Sequence, residues 1–589
     1  MERIDIDNKY KWRLEDIYES LDNYNKDLEK LGHLTEKLIS YKGKILENDK
    51  SLLEVMLLEE EIDMITSKLY VYINMRLHED TRVGKYQELS GNLDIILSIL
   101  NEKTSFFIPE LLESDFSKVD EYIKKNNKLE RFRFVLENIY KEKEHILSKE
   151  IEELMSRTSN IMSAPDNIFS NLNDADLVFD NIKDENGKNV ELTKANYYNF
   201  STSKDRKVRK NAFKTFYKKY KELNNTFASI MNTNLQATTF MTKTRKYQNP
   251  LNLYLDSNKI DLNIYYDLIK SVNDNLDKMA DYISLRKKVL GIKDMHMYDM
   301  AVKLTNNVDK EYSYEDAKEL VTKALSVLGD KYIEDFKKGL ESSWIDVYEN
   351  TGKRSGAYSW GCYKVHPYVL LNFQGKYNDV STLAHEMGHA MHRFYSNQKQ
   401  DYFYSDNQIF VAEIASTVNE TLLNFYMLKN GNKEEKKNII NEMLDDIKNT
   451  IFRQTMFAEF ELDIHNRCFN GETLNAEKLN NIYYELTKKY HNGVNVDEDI
   501  KYEWSRIPHF YTPFYVYQYA TGLSIALSIA TKINNGDKDM LDKYLTFLSS
   551  GSNDYPTNLV EKMGINISDA VNTALETFEK LIQEYKELQ

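Results

Sequence analysis

Two cysteines, Cys362 and Cys468, in a chain of 589 residues exclude a disulfide framework and fit a reducing compartment. Proline is almost as scarce. There are seven, none before Pro109, which predicts long uninterrupted helices, because a proline inside a helix removes a hydrogen bond and clashes with the preceding turn. No apolar run approaches the roughly 18 residues that a membrane-spanning helix needs. The opening MERIDIDNKYKWRLEDIY also lacks the apolar stretch of a secretory leader. The expectation is a cytoplasmic protein with no membrane partner. Positive charge is in deficit, with 78 Lys and Arg against 93 Asp and Glu and a net charge of −15. Such a surface repels a phosphate backbone, so no nucleic-acid partner is expected. The basic stretch from Lys204 to Lys210, continued at Lys214, Lys218, Lys219 and Lys221, is local and reads as a solvated helix face.

Apolar residues make up 41% of the chain, enough for a core, and the length exceeds the size at which one core stops growing, so two lobes are expected. From Leu14 to about Met155, apolar residues recur at three and four, as in LLEVMLLEEEIDMI and LSGNLDIILSIL, the pattern of amphipathic helices. No fixed-period repeat is visible, which favours stacked antiparallel helices over a solenoid. Within 176–193 two short strand-like runs flank Asn186-Gly187 and read as a hairpin. Residues 352–375 carry four glycines and the run PYVLLNF. They read as a mobile loop followed by an extended edge strand that could hold a peptide by its backbone. Helix resumes at Asp379, read as an N-cap. A boundary near residue 195 divides an N-terminal helical lobe, 1–195, from a catalytic helical domain, 196–589. The fold class expected is mostly α with a small β element.

The segment TLAHEMGHAMH, 382–392, carries the chemistry. In a helix, residues four apart lie about 40° from each other, so His385 and His389 can grip one metal ion while Glu386 reaches a water beside it. Gly388 costs such a helix about 1 kcal/mol relative to Ala, a cost explained if another segment approaches closely there. A catalytic zinc site generally has three protein ligands and an open position. Glu413, 24 positions after His389 in FVAEIASTVNE, supplies a carboxylate amid apolar neighbours, where it would be expensive unpaired. Glu420 shares its face and could orient a ligand histidine; His392 reads equally as core or as support to the site. With Zn2+ bound, Glu386 would take a proton from the attacking water and pass it to the leaving amine. The growing oxyanion then calls for a further donor. The best source is RIPHFYTPFYVYQYATG, 506–522, with His509 and with Tyr515 and Tyr519 expected on one helical face after Pro513.

These segments together resemble the M3 family of zinc metallopeptidases, the thimet-oligopeptidase-like enzymes, and most closely their oligoendopeptidase F branch. The matching pieces are YKWRLEDIY (10–18), SGAYSWG (355–361), PYVLLNF (367–373), TLAHEMGHAMH (382–392), FVAEIASTVNE (410–420), RQTMFAEFE (453–461) and HFYTPFYVYQYATG (509–522). The resemblance implies a zincin-like (gluzincin) two-lobed helical fold with a deep substrate channel. It implies short unfolded peptides as substrates and an endopeptidase reaction. It also implies His385, His389 and Glu413 as zinc ligands, Glu386 as general base, and His509 with a following tyrosine stabilising the transition state. The His-to-Tyr spacing fits the thimet-oligopeptidase branch only after a one-residue shift. Tyr519 is then favoured as oxyanion donor with Tyr515 second, and Gly522 falls where a third tyrosine would be. His366 is a further departure from the branch. The alternatives are a zinc carboxypeptidase or dipeptidase on a similar body, and a non-enzymatic helical scaffold with a relic site. Oligomeric state is not readable from the sequence.

Overall fold

The fold, a computed structural model, describes residues 1–305 and 310–589. Helix dominates as the low proline content predicts, and the longest helix, Asp49–Glu79, runs 31 residues from an N-cap at Asn48 whose side chain accepts from the Lys50 and Ser51 amides. Among the described residues the strands form two small sheets. By contacts the chain forms two units. The first comprises residues 1–144, 309–426 and 529–564, and the second 145–308, 427–528 and 565–589. This partition groups segments in space, whereas the boundary near residue 195 groups them in order along the chain.

In the first unit the N-terminal helices close over a core that includes Trp12, Leu31, Leu52, Leu69 and Leu93 and reaches Tyr368 and Leu370. Those last two lie on β5 (Tyr368–Leu370), which is central in a three-stranded sheet with β3 (Ile345–Asp346) and β4 (Tyr358–Trp360), in the order β3-β5-β4. β5 pairs parallel with β3 and antiparallel with β4. The expectation that 367–373 offers an exposed edge is therefore corrected: all of β5 is buried and both its sides are taken, so a free edge belongs to β4 instead. The glycine loop before it is also pinned. Gly352 O accepts from the Thr81 amide at 2.7 Å, the Arg354 amide donates to His78 O at 3.0 Å, and Asn372 Nδ2 donates to Arg354 O and Gly356 O. Gly352 sits at φ +80°, and a Cβ there would lie 2.1 Å from Asp80 Oδ1. His366, the residue without a reading in the sequence, stacks on Trp344 at 5.2 Å and approaches Asp16 Oδ2 at 2.9 Å. Its role is to tie the N-terminal segment to the sheet.

In the second unit the closing helix Ile567–Glu587 packs against Leu262–Asn273, Leu276–Leu290 and Lys433–Ile447. The expected hairpin is present, β1 (Asn181–Lys183) antiparallel to β2 (Asn189–Glu191), with Gly187 at φ +77° in the turn. The basic stretch forms the helix Arg206–Glu222. Its lysines Lys207, Lys210, Lys214, Lys218 and Lys221 are exposed, as read. Arg209 departs from that reading: it is 3% exposed and pairs with the fully buried Asp299 at 2.7 Å. Among the described residues no helix is long and apolar enough to cross a membrane.

Candidate metal centre

The motif lies on the helix Tyr377–Lys399 of the first unit. Asp379 holds the helix start from its third position rather than as the N-cap. Its Oδ2 accepts from the Lys376 amide at 2.8 Å and the Gln374 amide at 3.1 Å, reaching back to the N-cap backbone and tying the incoming segment to the first turn. The second helix, Ile409–Asn430, crosses it at Gly388. A Cβ on Gly388 would lie 2.6 Å from Ser416 Cα and 2.7 Å from Ala415 O, so only glycine permits this approach. Asn419, fully buried, fastens the crossing by donating to Ala384 O at 3.1 Å.

The crossing sets three donors around one point. Glu413 Oε2 lies 3.4 Å from His385 Nε2 and 3.3 Å from His389 Nε2, and the three ligand atoms all fall within 4.8 Å of one another. Glu420 occupies the supporting position read from the sequence, with Oε2 at 3.1 Å from His385 Nδ1. A hydrogen bond at Nδ1 leaves Nε2 as the ring's donor to a cation. Two further supports carried no reading in the sequence. Ser381 Oγ donates to Glu420 Oε1 at 3.0 Å, and Ser416 Oγ donates to Glu413 Oε2 at 3.0 Å. For Ser416 the usable signal was its place three after Glu413 and four before Glu420 on an otherwise apolar helix; Ser381 reaches Glu420 across 39 positions, a pairing that local spacing does not reveal.

Electrostatics fit this geometry. Burial works to depress the His385 imidazole, but its contacts with Glu413 and Glu420 outweigh burial and lift it to about 10. A cation held by the same donors would displace that proton. Glu386, 8% exposed, has its carboxyl pushed up by burial while the two histidines oppose the rise, the direction a proton carrier needs near neutral pH. His392 is resolved as core: it is 1% exposed, packs 5.1 Å from the Phe547 ring, and burial pushes it down to about 3.

The tyrosine segment belongs to the second unit. Tyr511 and Tyr517 are buried, whereas His509, Tyr515 and Tyr519 are half-buried. The helix starts at Tyr517, so Tyr515 precedes it instead of sharing its face. The Tyr515 and Tyr519 rings still meet edge to face at 5.4 Å, and Tyr519 OH lies 3.4 Å from His509 Nε2. Phe514 makes this possible by adopting φ +57°, a left-handed conformation costly for a bulky residue. Its amide donates to Oε1 of the fully buried Glu461 at 3.0 Å, the last residue of the RQTMFAEFE segment, to which the sequence assigned no role. Burial pushes Glu461 up to about 8.

Two consequences are measurable. Gly388→Ala should force the helices apart, costing about 1–3 kcal/mol in denaturant unfolding and weakening metal retention in dialysis against a chelator. An alanine variant of unchanged stability and metal affinity would contradict the close crossing. For Glu461, the folded chain keeps a proton that the unfolded chain releases above a pKa of about 4.3, so stability is lost as pH rises from there through about 8. Glu461→Gln keeps the acceptor for the Phe514 amide without this loss. The Tm of the variant minus that of wild type should therefore grow across this window, and a pH-independent difference would show that the carboxyl is not held neutral.

Residues 199–576 match the model for Peptidase family M3, and residues 110–179 match the model described as Oligopeptidase F. The chain is 39% identical to Oligopeptidase PepF of Bacillus subtilis (strain 168), over 100% of this chain and 88% of that protein. A Chlamydophila abortus protein of known structure superposes with TM-score 0.94 at 34% identity, over 100% of both chains. The crystal structure of oligoendopeptidase-F from Enterococcus faecium gives TM-score 0.74 at 32% identity, covering 96% of this chain and 98% of that one. The predominantly helical architecture with its small β element is consistent with the gluzincin-like fold expected from the resemblance. The chain belongs to peptidase family M3, on its oligopeptidase F branch, and is a metal-dependent endopeptidase acting on oligopeptides.

Proposed function

We propose that the metal is zinc, held by His385, His389 and Glu413, and that Glu386 is the general base. The observation that carries this is the meeting of two imidazole nitrogens and one carboxylate oxygen within 4.8 Å, with a buried, ligand-free carboxyl at Glu386 beside them. Two nitrogens and one oxygen form a donor set used by catalytic zinc, which keeps a further position open. Zinc bound there supplies Lewis acidity that polarises the scissile carbonyl and makes water acidic near neutral pH. Glu386 accepts the proton of the attacking water and delivers it to the departing amine, so one carboxyl serves as base and then as acid. Glu420 keeps His385 in the tautomer that presents Nε2. Tyr519 is proposed as the further oxyanion donor, with Tyr515 and His509 beside it; a phenol hydroxyl donates a hydrogen bond. β4, at the edge of its sheet and packed beside the motif helix, is the strand that offers backbone hydrogen bonds to an extended peptide.

The substrates proposed are short unfolded peptides. Two buried, unpaired cysteines fit a reducing cytoplasm, and the acidic surface disfavours nucleic acid. The proposed zinc ligands and catalytic groups all lie in the segment 196–589 assigned to the catalytic domain.

Glu386→Gln should bind one zinc as wild type does and lose about a thousandfold or more in kcat on a fluorogenic peptide blocked at both ends, whereas His385→Ala should lose the zinc itself. Near-normal turnover by the glutamine variant would remove Glu386 from the mechanism. Tyr519→Phe should lower kcat about 10²–10³-fold with KM little changed, as for removal of one oxyanion donor. An effect confined to KM would reassign it to substrate binding.

A further inference from the structure

The second unit contains a cavity of about 430 Å³ that the hydrolytic chemistry above does not use. Its volume lies within the range of about 300–1,000 Å³ typical of small-molecule sites. The charges around it are unevenly matched. Arg453 Nη2 and Arg506 Nη2 share a single oxygen, Glu503 Oε1, at 2.6 and 2.9 Å. Lys448 pairs with Asp445 at 2.6 Å, and the fully buried Arg286 stands 3.9 Å from the same oxygen. Arg209 and Arg206 share Asp299 at 2.7 and 2.8 Å. Of the charged side chains that line the cavity, Lys194, Arg209, Lys448, Arg453 and Arg506 are cationic and Asp445 and Glu503 anionic, although the whole chain carries −15; Asp299, Arg206 and Arg286 do not line it but join these ion pairs.

Glu503 has little left to offer its arginines. Oε1 also accepts from Tyr217 OH at 3.2 Å, and Oε2 accepts from Tyr483 OH at 2.6 Å. The surplus positive field reaches other bases: burial depresses Lys448 and His491, and the charge of Arg453 adds to the fall in both. An uncompensated cation in a part-buried site is costly unless an anion joins it. The rest of the wall is apolar and adaptable, with Met279, Met297, Met300 and Met456 lining the same space. Methionine walls accommodate varied shapes.

We propose that this cavity binds an organic oxyanion, a carboxylate or phosphate carried on an apolar body, with Arg453 and Arg506 holding the anionic group and the methionines packing the body. The guanidinium faces not engaged by Glu503 provide fork-shaped donors suited to either oxyanion. Two sources share this chemistry: an acidic residue of a peptide, which rests on the peptidase reading, and a free small molecule, which does not.

The test is isothermal titration of the zinc-loaded protein at fixed ionic strength with two matched pairs. One pair is acetyl-Met-Glu-amide and acetyl-Met-Gln-amide, blocked at both ends; the other is phenyl phosphate and phenol. The expected result is binding at least about tenfold tighter for the anionic member of one pair, a difference of about 1.4 kcal/mol. That preference should fall to near parity in Arg453→Gln and survive in Arg453→Lys, which also controls for folding through its thermal melt. Preference within the peptide pair identifies a peptide side chain as occupant, and preference within the phenyl pair alone identifies a free small anion. No preference in either pair, or a preference untouched by Arg453→Gln, overturns the proposal. Hydrolysis of a blocked neutral peptide is read on the same preparation. Its absence would remove the peptidase reading and leave the anion result standing.

Discussion

The metal centre depends on one steric fact, the contact between the motif helix and its neighbour at Gly388. Helix axes ordinarily pack 8–10 Å apart, at a distance set by the side chains between them. Here a glycine opposite the backbone of Ala415 and Ser416 removes the spacer, and Glu413 comes within 3.4 Å of both imidazoles. A wider crossing would leave a pair of histidines on one helix and a carboxylate on another with no shared point. The helix propensity forfeited at Gly388 is therefore the cost of bringing three donors to one point, and Asn419, bonded across to Ala384 O, keeps the crossing from sliding.

Around that contact the polar groups are arranged in layers that each restrict the next. Ser381 fixes Glu420, Glu420 fixes the His385 ring, and Ser416 fixes the Glu413 carboxylate. Each layer spends a hydrogen bond of about 1 kcal/mol net on orientation, which matters more than its contribution to stability because ligand geometry tolerates little error. Glu386 is the exception. It lies between the two histidines in sequence, is buried, and is left out of this chain of hydrogen bonds, as the proposed general base requires.

The motif residues were legible because their chemistry is local: two histidines and a glutamate within one and a half turns define a face without any tertiary information. Glu413 and Glu420 were legible by a weaker argument, acidic residues placed where an apolar stripe makes them expensive. The glycine at 388 was legible as an anomaly before its partner was known. What sequence order could not reveal was pairing at long range. PYVLLNF has the composition of a strand at any position in a sheet, and only its neighbours, Ile345–Asp346 and Tyr358–Trp360, make it central. The helix start after Pro513 was misjudged for a related reason: Phe514 takes a left-handed conformation that its side chain disfavours, and the group that stabilises this, Glu461, lies 53 residues earlier. The partition into units of interleaved segments has no signature in composition for the same reason.

The second unit resolves its buried charges by a different rule from the first. At the metal centre, carboxylates outnumber the fixed positive charges and a cation completes the balance. Around Glu503, Asp445 and Asp299 the cations are in excess, and the tyrosines that bond Glu503 add donors rather than acceptors. In the second unit the imbalance is maintained by packing, since Asp299 and Arg286 are fully buried and cannot turn to solvent. In a chain with a surplus of 15 negative charges, a pocket of the opposite sign is not a product of average composition. It requires lining cations to converge from the helix Arg206–Glu222, from Lys448 and Arg453, and from the segment before His509. The sign of each centre then dictates its complement: a divalent cation where acids converge on imidazoles, and an oxyanion where arginines share too few carboxylates.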